Sequence, residues 1–486
     1  MTGLRPLDGL RVLDLSRAVA GPFAGRILAD LGADVVKAEL PGTDVAQAYG
    51  KVIRGRAGLY AQVNAGKRSI LLDLHEPAGV SRLLDLAAAC DVVVENFRPG
   101  ILDRFGAGWP VLSAVNPRLV MLSISGFGQD GQDAGRAAYA PVIHAEAGLI
   151  GRQADLSGDP PADIAFALAD TLAGLHGTIA ILAALRLRDR TGTGQHIDIS
   201  MLEAMLATDD YTHYSVDDHP IWPARGEAWP APGGPILIAS DRRHLWRQLA
   251  TCFGLSDPDP DAALADKLQA RAKIIGEWIA GHDDRDGLKR ELETARLAWA
   301  EIRHAGDVLA SPAIGGRGTI VEVTDTDGGQ RSVVRMPYRF SDAASGPARG
   351  VPETGEDTAD VLAEWTGRTE LPARAGLERR PDETFAVLGA LISGEVLVSS
   401  GQPEDLSSRG LKVEVRIRHF EYRDAEGDNP LPHFFDVVTL QLQVDRLQKA
   451  ALIQGDAFVL VEKRDIEAVS HADVVFLVTL PRNRAT

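Results

Sequence analysis

"RVLDLSRAVAGPFAGRILADLGADVVKAEL", residues 11–40, sets two short aliphatic runs on either side of a segment with helical spacing. "RVLDLS" (11–16) and "DVVKAEL" (34–40) read as strands, and "FAGRILADLGA" between them reads as a helix. The alternation continues outward through "SILLDL" (69–74), "DVVVENF" (91–97), "LVMLSISGF" (119–127) and "GQHIDIS" (194–200), with "GVSRLLDLAAAC" as a further helix. This spacing predicts an α/β chain with a doubly wound, parallel, Rossmann-like sheet. Ligands of such sheets bind beyond the carboxyl ends of the strands, so the residues following each strand are where chemistry is sought.

The first such turn, "AVAGPFAG" (18–25), is not a dinucleotide fingerprint, because it lacks G-x-G-x-x-G. No P-loop appears, and no His pair has metal-ligand spacing, so no metal is expected. The 486 residues carry a net charge of −17, which disfavours a nucleic acid or an anionic membrane as main partner. Two cysteines, Cys90 and Cys252, are too few for a disulfide framework. Met1–Asp8 lacks the pattern of a signal peptide, and no apolar stretch of spanning length is free of charge. A cytoplasmic location is expected.

The chain divides by pattern into a large domain (1–220), a smaller α+β domain (221–338), a return segment (339–370), a linker (371–384) and a β-rich module (385–486). The smaller domain contains a helical stretch (243–310) and a hairpin, "GTIVEVTDTDGGQRSVVRMP", turning at Asp327-Gly328-Gly329. The terminal module holds "GEVLVSS", "LKVEVRIRHFEY", "FFDVVTLQLQ" and "AFVLVEK" as strands, and its role is not legible. Part of it faintly resembles an OB-fold. Phe420, Tyr422, Phe434 and Phe435 suit either base stacking or a strand core, and the acidic balance opposes phosphate binding.

"AFALADTLAGLHGTIAILAALR" (165–186) is apolar nearly throughout, with one acid, Asp170. Leu172, Leu175, Ile179, Leu182 and Leu185 recur at helical spacing, predicting one buried face. Taken alone, the stretch admits Asp170 as a helix N-cap or as a nucleophile at the positive end of a helix.

The blocks "PLDGLRVLDLS", "AGPFAGRILADLGADVVKAE", "NAGKRSILLDL", "DVVVENFRPGILDRFG", "NPRLVMLSISGFGQDG", "ALADTLAGLHGTIAILAAL" and "GTGQHIDISMLEAM" together resemble the family III CoA-transferases, over about 1–370. The resemblance implies transfer of coenzyme A from an acyl-CoA to a free carboxylic acid. Asp170 would be the nucleophile, CoA would be a substrate with no permanently bound cofactor, and the protein would form an interlocked homodimer. It also implies contacts to CoA from Ala18, Ala20, Leu72, Asn96, Phe97, Arg104 and Tyr139. Arg104 would meet a phosphate, and Phe97 would pack on the adenine or pantetheine.

Arg54, Arg56, Lys67 and Arg68 either add positive field or form a solvated face, and His144 reads as a packed or surface histidine. Relatives carry polar groups near the nucleophile where this chain has Val19 and Ala140, which favours a larger or less charged acyl group than formate or oxalate, and an Arg that helps hold the nucleotide where it has Leu40. The α-methylacyl-CoA racemases are the alternative, but their His falls at Tyr139, and a phenol is a poor base at neutral pH. A non-catalytic CoA-binding or scaffold protein is a third reading.

Overall fold

The computed structural model describes residues 3–39, 44–209, 211 and 226–367, together with five strands between 412 and 478. The chain separates into two units, Met1–Leu371 and Pro372–Thr486.

In the first unit, β1 (Arg11–Asp14), β2 (Asp34–Glu39), β3 (Arg68–Leu71), β4 (Val92–Glu95), β5 (Val120–Ser125) and β6 (Gln195–Ser200) form one sheet. The strand order is 3-2-1-4-5-6, and every pairing is parallel. Each strand lies where the apolar runs predict it. The order reverses between β1 and β4, so the connections leaving these neighbours diverge and open a crevice at their carboxyl ends. Near-continuous Val, Leu and Ile runs are needed because both sheet faces are covered.

One face carries Val12, Val92, Val94, Val120, Leu122 and Ile124, packed under α1 (Ala20–Asp30), α6 (Ala140–Glu146), α8 (Leu168–Thr191) and α9 (Met201–Thr208). The other carries Leu13, Val93 and Met121 under α3 (Pro77–Ala89) and α5 (Trp109–Val115). The intervening helices are α2 (Gly58–Asn64), α4 (Ile101–Arg104) and α7 (Leu149–Ser157).

Helix α8 corrects one expectation. Its buried face is Ala169, Asp170, Ala173, Gly174, Gly177, Thr178, Ile181, Ala184 and Arg188, whereas Ile179 of the leucine-type stripe is 63% exposed. Close approach explains the choice. A Cβ at Gly174 would lie 2.7 Å from the Ala20 carbonyl oxygen, and one at Gly177 would lie 2.7 Å from Leu122 Cδ2. Bulky residues cannot occupy that seam, so the leucines turn elsewhere. By length and composition α8 is also apolar enough to cross a bilayer, but half of its most apolar window is buried inside the fold.

A separate cluster forms where β7 (Glu227–Trp229), β8 (Ile236–Ile238) and β9 (Trp299–Glu301) pair antiparallel. Helices α10 (Arg242–Phe253), α11 (Leu264–Ala280) and α12 (Arg285–Thr294) close its core around Trp229, Ile236, Leu245, Ile275 and Leu288. The hairpin β10 (Ile320–Thr324) and β11 (Gln330–Val334) follows in sequence but packs Val323 and Val333 against Tyr60 and Ala61 of α2. Helix α13 (Thr358–Thr366) returns Val361, Leu362 and Trp365 to the core beneath α3.

In the second unit, β12 (Lys412–Tyr422), β13 (His433–Gln443) and β16 (Ala472–Val478) form an antiparallel sheet, and β14 (Lys449–Gln454) pairs with β15 (Ala457–Glu462). The linker 371–384, "GEVLVSS", Leu40 and the side chains of Phe420, Tyr422, Phe434 and Phe435 lie outside the described residues.

Candidate active site

The loop from β1 to α1 is held on all sides before it reaches the crevice. Asp14, closing β1, accepts from the Ser16 N–H at 3.0 Å, from the Ser16 hydroxyl, and from Lys67 Nζ at 2.7 Å. Lys67 also donates to the Pro22 carbonyl and to Asn64 Oδ1. Lys37 donates to the Ser16 carbonyl and to Asp44, and Asp44 Oδ1 accepts from the Ala18 N–H at 2.9 Å. Asn96, leaving β4, clamps Arg17 across the switch point. Its Oδ1 accepts from the Arg17 N–H and its Nδ2 donates to the Arg17 carbonyl, both at 2.7 Å. These bonds hold Ala18 in the left-handed region (φ 61°), a conformation that a residue with a Cβ rarely adopts unaided. The chain then enters α1 at Ala20 with its N-terminus facing the crevice.

Asp170 stands opposite, 7% exposed. It is not the cap of α8, as the N-cap reading expects. The helix is entered through Ala167, and Asp170 sits in its first turn, still at the positive end. Backbone N–H groups of Ala20, Ala140 and Asp170 itself face the carboxylate. Ala20 opens α1 and Ala140 opens α6, so three helix N-termini converge on one acid. Pro141 in the first turn of α6 suits that start, where its missing N–H leaves no bond unmade. Burial pushes the Asp170 carboxyl up to about 6, against the lowering influence of these N–H groups. At neutral pH the group is therefore ionised yet poorly solvated.

A cleft of about 150 Å³ opens at this acid. Ala18, Ala20, Asn96, Phe97, Tyr139 and Asp170 all line it, so six of the eight residues singled out by resemblance share one wall. Phe97 also packs on the core beneath α3, and its N–H is held at 2.8 Å by Glu95, whose carboxyl burial pushes up to about 7. Leu72 and Arg104 do not line the cleft. Leu72 is buried in the core, with its N–H on the Glu39 carbonyl, and Arg104 is exposed on α4.

Of the four basic residues weighed for positive field, Lys67 is neither a surface charge nor a ligand group, being fully buried against Asp14. Arg54, Arg56 and Arg68 pair with Asp327, Glu353 and Asp34. His144 is fully buried, as a packed histidine.

The cleft contains residues that motif reading did not single out. Arg98 and Arg136 line it, and Arg136 also meets Glu146 and lies 4.9 Å from the Phe127 ring centre. Ser125 lines it as the last residue of β5, and its hydroxyl is buried without a hydrogen-bond partner. The signal for Ser125 was the strand end itself, since this sheet type puts its ligand there. Among the described residues no group of His, Cys, Asp and Glu has the arrangement of a metal site.

The CoA-transferase family III model matches residues 7–358. The chain is 31% identical over 389 residues to the succinyl-CoA–L-malate CoA-transferase beta subunit of Chloroflexus aurantiacus, covering 74% of this chain and 94% of that one. It is 32% identical over 385 residues to the succinate–glutarate CoA-transferase of Agrobacterium fabrum, covering 74% and 95%. Among solved structures, a CAIB/BAIF family protein from Brucella suis superposes with a TM-score of 0.64 at 33% identity, covering 74% of this chain and all of that one. A parallel sheet of order 3-2-1-4-5-6, an acid at three helix N-termini and a family match over most of the chain agree: this protein belongs to the CoA-transferase family III.

Proposed function

We propose that the protein moves coenzyme A from an acyl-CoA donor to a free carboxylic acid through covalent intermediates on Asp170. The observation that carries this reading is a carboxylate without a cationic partner, desolvated in a cleft yet ringed by helix N-termini. A carboxylate is a weak nucleophile in water, and partial desolvation raises its reactivity while the N–H groups keep it ionised.

In the first step Asp170 attacks the thioester carbonyl, the C–S bond breaks, and CoA thiolate leaves a mixed anhydride. The thiolate attacks the aspartyl carbonyl, the anhydride C–O bond breaks, and the donor acid departs from an aspartyl-CoA thioester. The acceptor carboxylate attacks that thioester and regenerates an anhydride. Thiolate then takes the acceptor acyl group and frees Asp170. No proton or phosphate is consumed. When thiolate or the acceptor attacks the aspartyl carbonyl, negative charge returns to the Asp170 oxygens, which the N–H groups of Ala20 and Ala140 face.

Arg98 and Arg136 in the cleft, together with relatives named for succinate, malate and glutarate, support an acyl group carrying a second carboxylate. Such a group is larger than formate or oxalate, one of the two alternatives that Val19 and Ala140 leave open. We also propose a homodimer in the cytoplasm; the exposed Ile179 and Leu182 of α8 are apolar surface suited to a subunit contact.

Incubation with succinyl-CoA followed by hydroxylamine is expected to modify Asp170 alone, read by peptide mass, and Asp170→Ala to abolish transfer. Near-normal turnover by that variant overturns the assignment. Incorporation of α-deuterium from heavy water, without CoA passing to an added acid, identifies an isomerase instead.

A further inference from the structure

Helix α8 has no side-chain cap of its own: Ala167 precedes it, and the N–H groups of its first turn have no intrahelical acceptor. One of these, the Ala169 N–H, is answered from another helix, donating to His144 Nε2 at 3.2 Å. An amide only donates, so Nε2 is bare and the ring proton resides on Nδ1. Nδ1 in turn lies 2.7 Å from Asp163 Oδ1 and donates to it. The imidazole is fully buried, and both of its nitrogens are occupied. It does not line the cleft, so it is not placed to touch a substrate.

We infer that His144 is the positioning residue of this site: from α6 it caps the first turn of α8 and fixes the adjoining Asp170, with Asp163 fixing the ring. Helix α6 thus acts twice, giving the Ala140 N–H to the carboxylate and the His144 ring to the backbone one residue before it. Displacement of a reacting atom by about 1 Å can cost roughly 100-fold in rate, which is the scale of benefit available to such a cap. The acidic groups facing the ring are Asp163 and Asp170. The inference rests on the reading of Asp170 as nucleophile for its consequence in turnover, but its geometry stands apart from that reading.

The test compares His144→Leu, which removes the acceptor, with His144→Gln, whose side-chain oxygen can again accept from Ala169. For His144→Leu, kcat is expected to fall roughly 100-fold while the KM for acyl-CoA stays within about twofold. The acidic limb of its kcat/KM profile is expected to move upward, because the unpinned first turn of α8 no longer holds the Asp170 N–H, which lowers the carboxyl, in place. His144→Gln is expected to recover at least about tenfold of the lost kcat. Equal damage in both folded variants, or a normal kcat and pH profile in His144→Leu, overturns the proposal. Should His144→Leu fail to fold, Asp163→Ala decides, since a half-exposed loop acid tolerates removal; unchanged kcat and pH profile there also overturn it.

A turnover-free readout is the ¹⁵N spectrum of histidine-labelled protein, with His144 assigned by its loss in His144→Gln. The Nδ1–H tautomer is expected, and the Nε2–H tautomer sinks the inference even if Asp170 proves to be the nucleophile. If hydroxylamine labelling misses Asp170 while the Nδ1–H signal is present, the catalytic reading falls and the cap remains.

Discussion

Asp14 and Asp170 are both buried carboxylates set against the first turns of α1, and they are treated in opposite ways. Burial alone would push Asp14 up, but the ammonium groups of Lys67 and Lys37 overcome it and hold its carboxyl below the usual range. Burial likewise pulls Lys67 down to about 8, against Asp14, so both remain charged at neutral pH. Asp170 has backbone N–H groups beside it in place of ammonium groups, and burial prevails. The difference is that between an acid neutralised by ammonium groups and one left poorly solvated beside backbone dipoles. Asp14 commits its lone pairs to Ser16 and Lys67 and shapes a loop; Asp170 opens on the cleft, as the proposed attack on an acyl carbonyl requires.

The largest expected effect falls on the structural side. Lys67→Met leaves Asp14 buried without its main cation, and breaking such a pair typically removes about 3–5 kcal/mol of stability. Denaturant unfolding measures the loss, and the double change Asp14→Leu with Lys67→Met should recover much of it. A single variant as stable as the parent would dissolve the contrast.

Asp170→Asn is expected to move stability the other way. The folded carboxyl titrates near 6, above its ordinary value of 3.8, so the fold prefers the protonated form. That contribution is complete below about pH 3.8 and is lost as pH rises through 6. At pH 7.5 the ionised group costs the fold on the order of 2–3 kcal/mol, which the neutral amide removes. The variant should therefore melt higher than the parent at pH 7.5 and together with it near pH 4. A lower melting temperature at pH 7.5 would show that Asp170 is held as tightly as Asp14.

Smaller still is Ser125→Ala. Its hydroxyl has no partner in the protein, so stability should change little, while the loss of one hydrogen bond to a ligand weakens binding by about 1 kcal/mol, roughly fivefold in KM. Unchanged KM for both acyl-CoA and acceptor acid would remove Ser125 from the substrate's side of the cleft.

Fold and site were legible to different depths. The strands were readable because a sheet covered on both faces needs uninterrupted aliphatic runs, and "DVVKAEL" and "LVMLSISGF" supply them. Strand order was not written in any run, since pairing partners are chosen by how the helices pack. The seam of α8 was misread because leucine spacing signals burial only when there is room. Gly174 against the Ala20 carbonyl shows that here there is none. Lys67 and His144 looked like ordinary polar residues in sequence, for their partners lie 53 positions away at Asp14 and 25 away at Ala169.

The sequence by itself determined the α/β class, the parallel sheet and the family resemblance that singles out Asp170, because periodicity and local motif are properties of contiguous residues. Tertiary structure alone decided that Asp14 is paired with Lys67 while Asp170 lines the cleft. It also decided that three helix N-termini meet at Asp170, and that Leu72 and Arg104 stand away from the cleft. Desolvation and electrostatics depend on distances between residues far apart in the chain, and only the packed fold sets those distances.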